Sequence, residues 1–167
     1  MPSGDYMFRG AKVGFFDRSV EEWTRNGGAA QANNDFRCLF LGAGAQGILD
    51  ADDIEDSATI GAITGLAACE YDGANYPAKG YVIIGRTVTY DSLRKHGKCD
   101  ATDISIAALG PGTLVPSFNN LLIYWQPNSG VLANGIPLQR IDLGQTYTGQ
   151  NALFEYLWSP LGAFYSQ

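Results

Sequence analysis

The sequence has little charge, one histidine and no concentration of basic residues, and each shortage removes a class of function. Charged side chains make up 17% of the 167 residues, against about 25% in ordinary soluble domains. A surface so thinly charged is suited to being covered by a partner. The balance is acidic, with 17 Asp and Glu against 11 Lys and Arg and a formal charge of −6. Without a Lys/Arg cluster, neither nucleic acid nor an anionic membrane meets the basic face it needs. No apolar run approaches the roughly 20 residues that span a bilayer. The first residues, MPSGDYMFRGAKVGF, lack the basic stretch and apolar core of a signal peptide. The expectation is a soluble protein made in the cytoplasm.

Cysteine is also scarce. Cys38, Cys69 and Cys99 are odd in number, form no C-x-x-C pair and have one histidine in the whole chain for company. That argues against a zinc site and a disulfide framework, and leaves three reduced, mostly buried thiols. His96 lies in Arg94-Lys95-His96-Gly97-Lys98, which reads as a charged turn with a solvated imidazole. There is no G-x-S-x-G elbow.

What is present is apolar and aromatic: 46% hydrophobic residues, with 20 Phe, Tyr and Trp. One domain of this length buries roughly 70% of its unfolded surface, so it folds without a staple. Residues 1–34 read as an N-terminal arm and linker. The stretch Ala11 to Phe16 precedes Ser19-Val-Glu-Glu-Trp23, whose Ser-x-x-Glu spacing is that of a capping box, and Asn26 to Asn34 is polar and glycine-rich. From residue 35 to 167 the pattern is that of strands. Phe36–Leu41, Tyr81–Ile84, Thr87–Tyr90, Thr102–Ala107, Asn120–Trp125, Leu138–Leu143 and Ala152–Trp158 are short β-branched and aromatic runs. Turn residues at Tyr71-Asp-Gly-Ala-Asn, His96-Gly, Gly110-Pro-Gly, Pro127-Asn-Ser-Gly and Asn134-Gly separate them. The predicted fold is mainly β, an antiparallel β-sandwich or jelly roll with an N-terminal arm. Asp53 to Ala67 fits either a helical turn or a loop.

Two motifs invite chemistry. Gly42-Ala-Gly44-Ala-Gln-Gly47 spells the G-x-G-x-x-G of dinucleotide sites. The acids Asp50, Asp52, Asp53, Glu55 and Asp56 that follow would crowd a bound phosphate, and no β-α-β alternation continues. A glycine-rich turn between strands is the expectation. The same acids fail as an EF-hand, because Ile54, Glu55 and Gly61 fall where ligands or glycine belong. An irregular calcium site in Asp50–Asp56 stays open beside a solvated acidic loop. Glu70, Asp72, Asp142 and Glu155 lie in or beside predicted strands, so a carboxylate pair of the glycosidase kind stays open as well. Aromatics in excess of core needs suit a subunit interface or a sugar platform. Trp23, Trp125, Trp158, Phe164 and Tyr165 are the interface candidates.

Several segments, taken in order, resemble a family of small virion structural proteins encoded in tailed-phage structural modules. They are Glu70-Tyr-Asp72-Gly73-Ala-Asn-Tyr76-Pro77-Ala-Lys-Gly80, Asp100-Ala101-Thr102-Asp103-Ile104-Ser105-Ile106, Leu121-Leu-Ile-Tyr124-Trp125-Gln-Pro127, Ile141-Asp142-Leu-Gly144 and Leu157-Trp158-Ser-Pro-Leu-Gly162-Ala-Phe164. The likeness runs from about Phe36 to Phe164. Gly110 to Ser117 is longer than the family's usual connection, and the arm has no counterpart. The resemblance implies a capsid decoration (cement) protein in the virion, bound outside an icosahedral head as a homotrimer against the major capsid protein or other virion proteins. It implies no catalytic residue, cofactor or metal. A carbohydrate-binding module, or a tail or fibre component that binds a receptor, is the alternative.

Overall fold

The computed structural model of the chain describes residues 6–7, 35–51, 56–91, 96–127, 130–158 and 164–165. Its centre is a pair of long strands. β2 (Asp35–Leu41) and β7 (Phe118–Gln126) run antiparallel from Asp35 opposite Gln126 to Leu41 opposite Asn120. β7 also pairs with β8 (Ile136–Tyr147), and β8 with β1 (Tyr6–Met7). On the other side β2 pairs with β3 (Tyr81–Val82), closing a five-stranded sheet in the order β1-β8-β7-β2-β3. β4 (Thr87–Asp91), β5 (His96–Asp100) and β10 (Phe164–Tyr165) form a second sheet in the order β10-β5-β4. β6 (Ile104–Leu109) and β9 (Ala152–Tyr156) form a separate ribbon. Among the described residues every strand pairing is antiparallel, and the fold is mainly β, as expected.

β2 and β7 are covered on both faces, which is why their sequences, DFRCLFL and FNNLLIYWQ, do not alternate cleanly with polar residues. The pleat places Leu39, Leu41, Asn120 and Leu122 on one side and Cys38, Phe40, Leu121 and Ile123 on the other. The second side carries an aromatic cluster in which the Phe40 ring lies 4.7 Å from Phe118, 5.1 Å from Tyr76 and 5.2 Å from Phe154. Through Phe154 the β6–β9 ribbon is fastened to this cluster. Arg86 is buried beside the start of β2, its guanidinium 5.2 Å above the Phe36 ring and donating to the Ile83 carbonyl.

The first side is covered by α1 (Gly44–Leu49), which buries Ala45 and Leu49. Here the structure corrects the reading of Gly42–Gly47 as a plain turn between strands. A strand does lead into a helix, but of six residues, and both strands beside β2 are antiparallel to it, so no dinucleotide fold follows. The helix is locked down by a closed ring of side chains. Gln46 donates to Asp50 (2.7 Å), Arg140 donates to Asp50 (2.5 Å) and to Asn120 (2.9 Å), and Asn120 donates back to Gln46 (3.0 Å). Arg140 is 1% and Asn120 0% exposed, so the ring reaches from the core, where these two lie, out to the exposed Asp50.

The segment expected as helical turn or loop supplies two 3-10 turns, Ile60–Ala62 and Leu66–Cys69. Residues 52–55, most of the acidic run weighed for calcium, lie outside the described residues. Two further expectations change. His96 opens β5, opposite Asp91, instead of sitting in a turn. Strand β8 extends to Tyr147, well past Leu143, because a register shift lets it bulge near Gly144 and pair Tyr147 with Phe118. Of the arm, Tyr6 and Met7 add a strand to the body; residues 8–34 lie outside the described set. Among the described residues no helix is long and apolar enough to cross a membrane. Cys38 and Cys99 are buried thiols and Cys69 is half-buried, as expected, and burial pushes Cys99 up to about 11.

The ring around Arg140 predicts an asymmetric response to mutation. Asn120→Leu keeps the branching of the side chain but removes the acceptor of a buried guanidinium N–H, at a cost of about 3 kcal/mol. Urea unfolding should show that loss, whereas Gln145→Leu, on an exposed stretch of β8, should stay within about 0.5 kcal/mol of wild type. Equal midpoints for the two variants would remove the ring from the core.

Candidate functional site

The region that carries most unusual geometry is Glu70 to Gly80, the first segment of the phage resemblance. Each polar side chain in it is committed to a distant piece of backbone. The Tyr71 hydroxyl donates to the Gly110 carbonyl and accepts the Gly149 N–H at 3.2 Å, joining three loops. A methyl group on Gly73 or Gly149 would run into that same Gly110 carbonyl, so the approach requires glycine at both places. Glu70 accepts the Lys79 N–H at 2.6 Å, and the Tyr76 hydroxyl, which takes the Phe40 N–H at 3.1 Å, donates to it. Lys79 donates through Nζ to the Gly130 carbonyl at 2.8 Å, and its own carbonyl accepts from the Tyr124 hydroxyl at 2.5 Å.

Asp72 is the centre of a clamp. Its two carboxylate oxygens accept the N–H groups of three successive residues, Thr113 (2.9 Å), Leu114 (2.8 Å) and Val115 (3.0 Å). The long run Gly110–Ser117 is thereby a built loop, with Leu114 at its tip and 86% exposed. These amide donors hold the Asp72 carboxyl below its ordinary value.

No protein-family model, no curated protein and no solved structure matches this chain. Function must therefore be argued from geometry.

Of the four acids weighed as a hydrolytic pair, three are engaged in the structure. Glu70 and Asp72 bind the amides just described, and Asp142 accepts the Gly144 N–H at 2.9 Å and lies 3.8 Å from Arg140. Burial pushes Glu70 upward despite its donors, the shift of a carboxyl held inside a junction. Glu155 alone lines a cleft. That cleft, of about 300 Å³, is formed by Leu109, Phe118, the turn Tyr147–Gln150 and β9 residues Ala152–Glu155.

The five aromatic interface candidates separate. Trp158 is 8% exposed and belongs to the chain's own interior. Its indole N–H donates to the Thr102 carbonyl at 2.9 Å, its backbone N–H donates to Asp103 at 2.9 Å, and its ring meets Tyr156 edge-on at 5.2 Å. Trp125 is half-buried on β7. The backbones of Phe164 and Tyr165 form β10 against Cys99 and Lys98, and Trp23 lies outside the described residues.

Among the described residues the exposed large hydrophobic ones are aliphatic: Leu114, Leu157 (67%), Leu153 (60%), Val131 (52%) and Ile84 (40%). Aromatic counting had passed over them. The alternation in Ala152–Trp158 held the signal for Leu153 and Leu157, whereas Leu114 owes its place to Asp72, far away in sequence.

The clamp has a pH dependence of fixed sign. The folded value of Asp72 lies below the ordinary 3.8, so its contribution is complete above that value and is lost as pH falls through the folded one. Asp72→Ala should speed amide exchange at Thr113, Leu114 and Val115 at neutral pH by about tenfold or more, and strong acid should loosen the wild-type loop in the same way. Unchanged exchange in the variant would show that something else holds the loop.

Proposed function

We propose that this chain is a structural, non-enzymatic subunit of a tailed-phage particle, a decoration protein that binds the outside of the head as a homotrimer. The observation that carries the reading is the outer face of the β6–β9 ribbon. Ile104, Ile106 and Leu109 point inward with half-buried Phe154 and Tyr156, while Ser105, Ala107, Leu153, Glu155 and Leu157 point out. That leaves an exposed face of small and aliphatic side chains with a single charge. Among the described residues β6 and β9 pair with each other alone. A two-stranded ribbon with an apolar outer face invites another protein to cover it.

Two features support the particle role over a reaction. The carboxylates Glu70, Asp72 and Asp142 hold the chain together, and the most exposed aliphatic group, Leu114, stands on a clamped loop. An anchor fixed before contact loses little entropy on binding, which suits a subunit that strengthens a shell by adding interface. A stable contact of this kind buries about 1,600 Å². Closed rotational symmetry at three-fold positions of a shell makes a cyclic trimer the matching assembly, with capsid protein as the partner.

The test uses exposed positions, because Asp in place of buried Trp158 would disturb the fold itself. Leu153→Asp and Leu157→Asp, made together, should leave the melting transition in place. In light scattering they should abolish the wild-type trimer, and in co-sedimentation they should weaken binding to undecorated cognate heads by more than about tenfold. Wild-type protein that stays monomeric at every concentration and fails to sediment with heads would overturn the proposal.

A further inference from the structure

The cleft beside β9 shares Leu153 and Glu155 with the outer face of the ribbon, but adds aromatic and polar groups that the protein-binding role does not use. Its floor is aromatic. Phe118 is fully buried, and the half-exposed Tyr147 ring lies stacked on it at 5.7 Å, with Phe154 edge-on to Tyr147 at 5.8 Å. Tyr147 is held from its far end as well, because Gln145 donates to its hydroxyl. Around this floor stand Thr148, Gln150 and Glu155, all exposed. Their side chains have no hydrogen-bond partner among the described residues. The contrast with Glu70 and Asp72 is sharp: elsewhere on this face polar groups are consumed by backbone, and here they are left available.

We infer that this cleft is a binding site for a neutral pyranose sugar, one or two residues of a glycan. A sugar ring has an apolar C–H face and a rim of hydroxyls, so it needs an aromatic surface flanked by donors and acceptors. Tyr147 and Phe154 offer the surface. The Glu155 carboxylate can accept two neighbouring hydroxyls, the Gln150 amide can both donate and accept, and Thr148 adds a hydroxyl. The volume sits at the lower end of ligand clefts, about 300 Å³. Among the described residues no Lys, Arg or His lines it, so none of them can neutralise a uronate, sialate or phosphate there. A basic peptide is the competing ligand. It is less well served, because one face of Tyr147 is taken by Phe118 and a single acid is present.

The site is also rigid where it matters. Gly149 in its wall donates to the Tyr71 hydroxyl, and the Asn151 N–H donates to the Leu109 carbonyl at 2.8 Å. The turn that carries Thr148 and Gln150 is therefore tied to the Tyr71 junction. The inference does not rest on the particle role, and either stands without the other.

The experiment is saturation-transfer NMR of the full chain with methyl glycosides of glucose, galactose, mannose and N-acetylglucosamine, with glucuronic acid and a tetralysine peptide as further probes. At least one neutral glycoside should show transfer strongest at its ring C–H protons, and glucuronic acid should show none. Glu155→Gln and Gln150→Ala alter exposed side chains and should each weaken that binding, Glu155→Gln by about tenfold. Absence of transfer to every neutral glycoside would overturn the inference. So would sugar binding that neither variant changes, or binding of tetralysine alone that vanishes with Glu155→Gln. Trimer formation and head binding are measured separately, so failure of one proposal is distinguishable from failure of the other.

Discussion

A guanidinium with 1% of its surface exposed organises the centre of this molecule. Arg140 projects from β8 onto the side of the sheet that α1 must cover, and its bonds to Asp50 and Asn120 leave Gln46 the natural fourth member of the ring. A helix of six residues with no side-chain cap has little intrinsic stability. What keeps it folded is attachment: Ala45 and Leu49 pack beneath it while Gln46 and Asp50 tie its polar side to β7 and β8. Burying a charge is costly unless its hydrogen bonds are made, so the ring also fixes where α1 sits along the sheet. The Asp50 carboxyl is held below its ordinary value by Arg140, which keeps the ring charged through the physiological range.

The opposite side of the sheet is organised by aromatics, and there the polar groups work at the margin. Tyr71 and Tyr76 each place a ring in that cluster and a hydroxyl on backbone from another segment, as Tyr124 does on the α1 side. Glu70, Asp72 and these tyrosine hydroxyls are engaged by the chain's own loops, while Leu114, Leu153 and Leu157 stand exposed. The cleft at Tyr147 is the local exception.

Much of the β architecture was legible. The seven apolar runs all became strand or lay beside one, because β-branched and aromatic residues between Gly, Asn and Pro have few other options. Three things were hidden. β5 reads His-Gly-Lys-Cys-Asp, a turn-like composition that becomes a strand because β4 and β10 pair on both sides of it. α1 begins with Gly-Ala-Gln-Gly, poor helix material, and exists through tertiary attachment. The loop at Leu114 depends on an aspartate 41 to 43 residues earlier, a pairing no local pattern announces. Burial at one interface candidate was not legible either, since a large aromatic in a body this small can be needed inside. Trp158 is the example.

The wiring also sets the order in which the chain can fold. β2 must wait for β7, which begins at Phe118, and the Tyr71 hydroxyl reaches Gly149, 78 residues away. Contacts across such spans close late and slowly. Until then Cys-Leu-Phe-Leu at the end of β2 is an apolar strand without neighbours, the kind of segment that recruits other chains. Asp35 and Arg37, set into the same strand, place charge next to that run. In the nascent chain they would serve as guards against aggregation, and in the finished fold both are taken into the interior or its edge.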